Sequence, residues 1–107
     1  MSRTLSEDKV LTRLRHRLNR LYGARLARAV LYGSRARGDW NADSDYDVAV
    51  FLTEITDWRP DQERLAERRV ELFDETGALL DIHPFRASEW PDRTPLMGEI
   101  RREGVDL

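Results

Sequence analysis

The chain has 107 residues, no cysteine and a formal net charge of −2. This length predicts a single domain over residues 1–107. The absence of cysteine excludes disulfide frameworks, thiolate catalysis and zinc–thiolate sites, and the charge gives no general attraction to nucleic acid. The sequence has no signal-peptide core or membrane-spanning stretch, so we expect a cytoplasmic protein without membrane or direct nucleic-acid binding. Lys9 is its single lysine, which excludes a Walker-type loop and a Schiff-base lysine.

The first half of the chain predicts one helix and two strands. Thr4 and Glu7 form a capping-box pattern that would open a helix. The apolar residues that follow at helical spacing are Val10, Leu11, Leu14, Leu18, Leu21 and Tyr22. The opposite side, which we expect to be solvated with partner binding as the alternative, carries Arg13, Arg17 and Arg20. Residues 28–32 predict a strand that stops at Gly33, and residues 46–52 predict a second strand.

A second helix and a third strand are predicted next. Pro60 is typical of a first helical turn, and Gly77 of the position after a helix. The residues of this helix expected to face inward are Leu65, Leu72 and Phe73. Residues 78–85 then predict a strand that Pro84 closes.

The last helix is predicted to start at Thr94–Pro95. Its expected inward residues are Leu96, Met97 and Ile100. Residues 104–107 predict a short edge strand. The order helix, strand, strand, helix, strand, helix indicates an α/β (α+β) domain whose small sheet has helices mainly on one face.

Acidic residues occur directly before and inside one predicted strand, and inside a second predicted strand. Asp45 and Asp47 alternate with apolar residues, so they share one face, about 6.5 Å apart. Asp81 lies among leucine and isoleucine in the third strand, and it would stand beside this pair if the two strands are neighbours. Buried like charges are costly unless they are paired or bind metal. Three converging carboxylates therefore favour Mg²⁺, with Mn²⁺ as an alternative, and two such ions suit phosphoryl chemistry.

The turn before the acidic strand has features of a phosphate site. Gly33 lets backbone approach a ligand closely, and Ser34 adds a hydroxyl and exposed N–H groups. Arg35 and Arg37 could neutralise a triphosphate. The stretch thus predicts nucleotide binding by these four residues and metal binding by the aspartates that come after them in the sequence.

The acidic stretch has two other possible interpretations, a surface loop and a calcium-binding loop. An Asp-x-Asp pair alone is usually an acidic surface loop. Residues 39–45 also resemble the start of an EF-hand loop, but Ser44 stands where that loop needs Gly and Val50 where it needs Glu. The combination of a strand, a Gly-Ser turn, an Asp-x-Asp strand and a third strand aspartate favours the metal and phosphate site.

The chain resembles the minimal nucleotidyltransferases of the DNA polymerase β superfamily, whose signature is Gly-Ser, ten residues, then Asp-x-Asp. Gly33, Ser34, Asp45 and Asp47 match this spacing, and the later strand aspartate of the family falls on Asp81. The closing residues 99–107 are also similar to the family's final helix and strand, so the resemblance covers essentially the whole chain. It implies a polymerase-β-like nucleotidyltransferase fold.

The resemblance also implies a Mg²⁺-dependent transfer of AMP from ATP, with pyrophosphate leaving. Asp45 and Asp47 would ligate the metals, and Asp81 would hold the catalytic metal and help to deprotonate the attacking hydroxyl. Ser34 and the Gly33 backbone would hold the β and γ phosphates.

The smallest members of this family pair with HEPN-domain toxins in toxin–antitoxin couples. The resemblance implies that this chain is the antitoxin, which transfers AMP to a hydroxyl, in particular that of a tyrosine, of a HEPN partner. The alternative is a non-catalytic, nucleotide-sensing module that neutralises its partner by forming a complex.

We expect the aromatic and histidine residues near the motif to stabilise the fold rather than to take part in the reaction. We expect Trp40 to anchor its loop, with base stacking as the alternative, and Tyr32 and Tyr46 to be core residues. His83 shares the face of Asp81 and is expected to be packed and hydrogen-bonded, with an approach to the site as the alternative. No role is predicted for the other histidine, His16.

Overall fold

The protein's structure, a computed structural model, describes residues 8–107. The helices are α1 (Lys9–Tyr22), α2 (Ser34–Arg37), α3 (Trp58–Thr76) and α4 (Pro95–Glu103). The strands are β1 (Leu26–Tyr32), β2 (Tyr46–Leu52), β3 (Leu80–Arg86) and β4 (Val105–Asp106). They form one sheet in the order β3-β2-β1-β4, in which β1 is antiparallel to both neighbours and β2 is parallel to β3. The predicted small mixed sheet, including its short final edge strand, is confirmed.

Capping side chains set the helix boundaries. The Asp8 carboxylate accepts hydrogen bonds from the N–H groups of Val10 and Leu11 at 2.9 and 3.1 Å, which satisfies donors left free at the start of α1. The predicted Thr4–Glu7 capping box lies outside the described residues. The Thr94 hydroxyl caps α4 as predicted, and Gly77 ends α3 in the left-handed conformation at φ 75°.

The sheet has an apolar core on each face. The larger core lies under α1 and α3, and its strand residues include Leu31, Val48, Val50 and Ile82. The smaller core joins Met97 and Ile100 of α4 to the other face of the sheet through Val30, Tyr32, Ala49 and Phe51. Because residues alternate along β2, the strand buries Val48 under α1 and α3 and turns Asp47 toward the face that carries α4. Helices therefore pack mainly on one face, as predicted.

Three local predictions were wrong. Phe73 and Leu96 were expected to face inward, but they are 47% and 39% exposed. Each is one residue, or about 100° around its helix, from a buried neighbour, so it lies at the edge of the buried stripe. Pro84 does not end the third strand, which runs to Arg86. It is tolerated there because β3 is an edge strand of the sheet.

An ion pair with a buried carboxylate joins Arg25, the residue before β1, to the start of α3. Asp61 is 2% exposed, and its Oδ2 lies 3.1 Å from Arg25 Nη2. Arg64, one turn further along α3, approaches the other oxygen at 3.5 Å. The carboxylate is therefore compensated from two directions, as a buried charge requires.

Within residues 8–107, no helix combines the length and apolar character needed to cross a lipid bilayer.

Candidate functional site

The parallel pairing of β2 and β3 brings Asp47 and Asp81 side by side. These two residues are direct register partners, and neighbouring strands lie about 4.8 Å apart. Both are partly buried, whereas Asp45, one residue before β2, is exposed. Their apolar neighbours Tyr46 and Val48 are buried in the core on the other face, as the alternation predicted.

Gly33 joins β1 to α2 and lies directly against the Asp47 side chain. Its backbone has φ 77° and ψ −160°, a combination that is essentially restricted to glycine. A Cβ atom at this position would stand 2.4 Å from Asp47 Oδ2, far inside normal contact. The carboxylate therefore occupies the space that any other residue would fill, and glycine is required for two independent reasons.

The residues after Gly33, predicted as a turn, form a single helical turn. The Gly33 carbonyl accepts hydrogen bonds from the N–H groups of Ala36 and Arg37 at 3.1 and 3.0 Å. The Ser34 carbonyl accepts from Gly38 N–H at 2.9 Å. Ser34 is thus held at the first helical position, where backbone N–H groups have no partner within a helix.

Negative charge accumulates around Asp47. Burial raises the pKa of its carboxyl, and the charges of Asp81, Asp45 and Glu99 raise it further, while His83 opposes them. Burial and the neighbouring carboxylates together therefore disfavour the ionised form of Asp47.

The same carboxylates also affect the pKa of Tyr32, at the end of β1. Burial, followed by the charges of Asp47, Asp81 and Glu99, raises its pKa to about 12. The phenol thus stays protonated across the physiological range and supplies no negative charge of its own. Tyr32 and Tyr46 are both buried, which confirms their predicted place in the core.

The carboxylates fit an oxygen-preferring divalent cation. Asp45, Asp47 and Asp81 supply ligands of the type that Mg²⁺ and Mn²⁺ prefer. No three Asp, Glu or His side chains in residues 8–107 are already arranged to hold a metal ion, so these side chains would have to rotate toward one another. A bound cation would offset both the burial and the neighbouring negative charges that raise the pKa of Asp47.

The two arginines of the motif contact the protein itself. The Arg35 guanidinium lies over the rings of Trp40 and Tyr46, at 4.5 and 4.0 Å from their centroids, and its Nε donates to the Ser44 carbonyl at 2.9 Å. Arg35 thereby ties the acidic loop to the sheet. Trp40, 44% exposed, is held on this guanidinium.

Arg37 forms ion pairs with Asp39 at 3.3 Å and with Glu103 of α4 at 3.0 Å. Both motif arginines are therefore engaged in contacts within the protein and are not free to turn toward Asp47. Phosphate binding by Arg35 or Arg37 would require these contacts to be exchanged.

Two residues near the site were not assigned to it from the sequence. Glu99 belongs to α4, and only the packing of that helix on the sheet brings its charge to bear on Asp47. His83 was expected to be packed, but its side chain is 53% exposed, and Nε2 lies 2.8 Å from Asp81 Oδ1. Its alternation with Asp81 along β3 was the sequence signal for this contact.

Comparison with known proteins identifies the class to which this chain belongs. The family model described as "Nucleotidyltransferase domain" matches residues 11–101. The chain therefore belongs to the nucleotidyltransferase domain family, and the family resemblance of its motif is confirmed. No curated protein matches it at a significant level.

Three solved structures with a similar fold are toxin–antitoxin complexes. One chain of a crystal structure described as a toxin–antitoxin with AMP-PNP superposes with a TM-score of 0.64 at 19% identity, covering 92% of this chain and 71% of that one. A chain of an MntA–HpeT complex carrying two Asp-to-Glu substitutions gives 0.63 at 19% identity, with coverages of 88% and 69%. A complex carrying a Tyr-to-Ala substitution gives 0.61 at 21% identity, with coverages of 90% and 70%. At these identities the likeness establishes the fold.

Proposed function

We propose that the protein transfers AMP from ATP to a hydroxyl group of a partner protein and so acts as an antitoxin. The observation that carries the proposal is the packing of the Gly33 backbone against Asp47, which itself stands beside Asp81. This places a turn suited to phosphate next to carboxylates suited to a divalent cation. Membership of the nucleotidyltransferase family supports the type of reaction.

Each site residue has a specific task in this proposal. Asp45, Asp47 and Asp81 hold Mg²⁺, which neutralises phosphate charge when it is bound. Gly33 and Ser34 bind the β and γ phosphates through backbone N–H groups and the serine hydroxyl. The acceptor oxygen forms a bond to the α phosphorus as the bond to the β-phosphate oxygen breaks. Asp81 helps to take up the hydroxyl proton, and pyrophosphate leaves.

The choice of acceptor is supported by the complexes in which similar folds are found. The superposing structures are toxin–antitoxin complexes, and one of them contains the ATP analogue AMP-PNP. We therefore propose a toxin as partner, and we propose a tyrosine hydroxyl of a HEPN-domain toxin as the acceptor on the basis of the family resemblance.

The direct test follows radioactive label from α-labelled ATP into protein. Wild-type protein, Asp47→Ala and Asp43→Ala are each incubated with host lysate and Mg²⁺. Asp43 is the matched control, because it is an exposed carboxylate of the same loop. We expect a labelled band with the wild type and with Asp43→Ala, and none with Asp47→Ala. The absence of a band with any protein and any of the four nucleotides, using a target shown by mass to be unmodified, would contradict the proposal.

A second test separates catalysis from simple complex formation. The double variant Asp45→Ala, Asp47→Ala is co-expressed with the toxin, and both toxicity and co-purification are measured. We expect the complex to form while neutralisation is lost. Full neutralisation by the double variant would favour the non-catalytic binding module instead.

A further inference from the structure

His83 contacts a proposed metal-binding carboxylate from the same strand. Its Nε2 lies 2.8 Å from Asp81 Oδ1, and the two side chains are 53% and 46% exposed. Since residues two apart in a strand point to the same face, this contact follows directly from the extended backbone of β3. The register pairs His83 with Ala49 of β2.

The contact affects which oxygen of Asp81 is available. With Oδ1 at the histidine, Oδ2 is the oxygen that can turn toward another ligand. A carboxylate on an open surface otherwise rotates among several orientations, and metal binding must then restrict it. Side chains that hold a metal ligand in one orientation commonly change metal affinity by about 10- to 100-fold.

Exposure of His83 argues against a purely structural role. More than half of its side chain is open to solvent, so its removal deletes little core packing. Against the raising effects of burial, Asp81, Asp45 and Glu99, His83 also lowers the pKa of the Asp47 carboxyl.

We propose that His83 is a positioning residue that orients the Asp81 carboxylate for divalent-metal binding. The inference rests on the proposed function, since it requires Asp81 to be a metal ligand. It assigns His83 no direct contact with the metal or the nucleotide.

The test measures Mn²⁺ binding to the purified protein at a fixed neutral pH by electron paramagnetic resonance of the free ion. The variants are His83→Ala, His83→Gln and the control His16→Ala, which removes the chain's other histidine from the exposed side of α1. We expect His83→Ala to weaken Mn²⁺ binding by about 10- to 100-fold. We expect His83→Gln to restore most of the affinity, because its side-chain amide can donate a hydrogen bond to the Asp81 carboxylate. His16→Ala should match the wild type, and all thermal unfolding midpoints without metal should agree.

Other outcomes distinguish this inference from the proposed function. Wild-type affinity in His83→Ala would overturn the positioning role alone. Equal loss in His83→Ala and His83→Gln would also overturn it, because that result indicates direct ligation by the imidazole. A wild-type protein that binds no Mn²⁺ would overturn the metal-dependent function, and this inference with it. In the transfer assay, saturating Mn²⁺ should return the rate of His83→Ala to that of the wild type, since only metal occupancy is changed.

Discussion

Replacement of Gly33 by alanine tests the contact on which the proposed site depends. The new Cβ would stand 2.4 Å from Asp47 Oδ2, whereas ordinary contact begins near 3.4 Å. The Asp47 carboxylate must therefore move by about 1 Å, and a displacement of this size at a reacting centre can cost about 100-fold in rate. The backbone at φ 77° and ψ −160° adds strain of about 1–3 kcal/mol for a residue with a Cβ atom.

Gly38→Ala is the matched control for this substitution. Gly38 ends the same short helix with φ 90° and ψ 5°, and a Cβ atom there would meet nothing within 4 Å. The Gly38→Ala variant should lose about 1–2 kcal/mol of its free energy of unfolding, because alanine is strained in the left-handed conformation. At about 4–8 °C per kcal/mol for a domain of this size, both variants should melt measurably lower than the wild type.

The assay combines thermal unfolding with Mn²⁺ titration of both variants. We expect Gly38→Ala to bind Mn²⁺ like the wild type and to melt at a lower temperature. We expect Gly33→Ala to lose most Mn²⁺ affinity in addition to its stability. Wild-type affinity in a folded Gly33→Ala protein would refute the assignment of Asp47 and Gly33 to one site.

Three further predictions concern charged and ionisable groups. Because the pKa of Asp47 is raised in the folded state, its favourable contribution to stability exists at acidic pH and is lost as the pH rises through that pKa. Asp47→Asn should therefore raise the melting temperature of the metal-free protein at pH 7. Added Mg²⁺ should raise the melting temperature of the wild type but not that of Asp47→Asn. The pKa values of Tyr22 and Tyr32 rise from 10.0 to about 12, so stability should fall as the pH increases from 10 to 12, and urea unfolding should show a smaller fall when both are changed to Phe. Arg25→Ala removes the 3.1 Å partner of a carboxylate that is 2% exposed, and it should lower the free energy of unfolding by about 3 kcal/mol. Asp61→Asn removes the buried charge itself and should cost less in chemical denaturation. A larger loss for the asparagine variant would contradict this account.

The sequence alone determined the features that depend on local order. The spacing from Gly33–Ser34 to Asp45 and Asp47 identified the family, and strand alternation assigned these aspartates to one face. Helix ends were predicted where a single residue determines the backbone, as at Gly77 with φ 75°. In each case the physical cause acts over a few neighbouring residues.

Only the tertiary structure decided which distant groups meet. The parallel pairing of β2 with β3 places Asp81 beside Asp47, and the packing of α4 brings the charge of Glu99 to the same face. The tertiary contacts also bring Arg35 onto the Trp40 and Tyr46 rings instead of leaving it free for phosphate. Each of these contacts joins parts of the chain whose approach depends on the folding of the whole domain, because burial of the two apolar cores sets how the helices and the sheet come together.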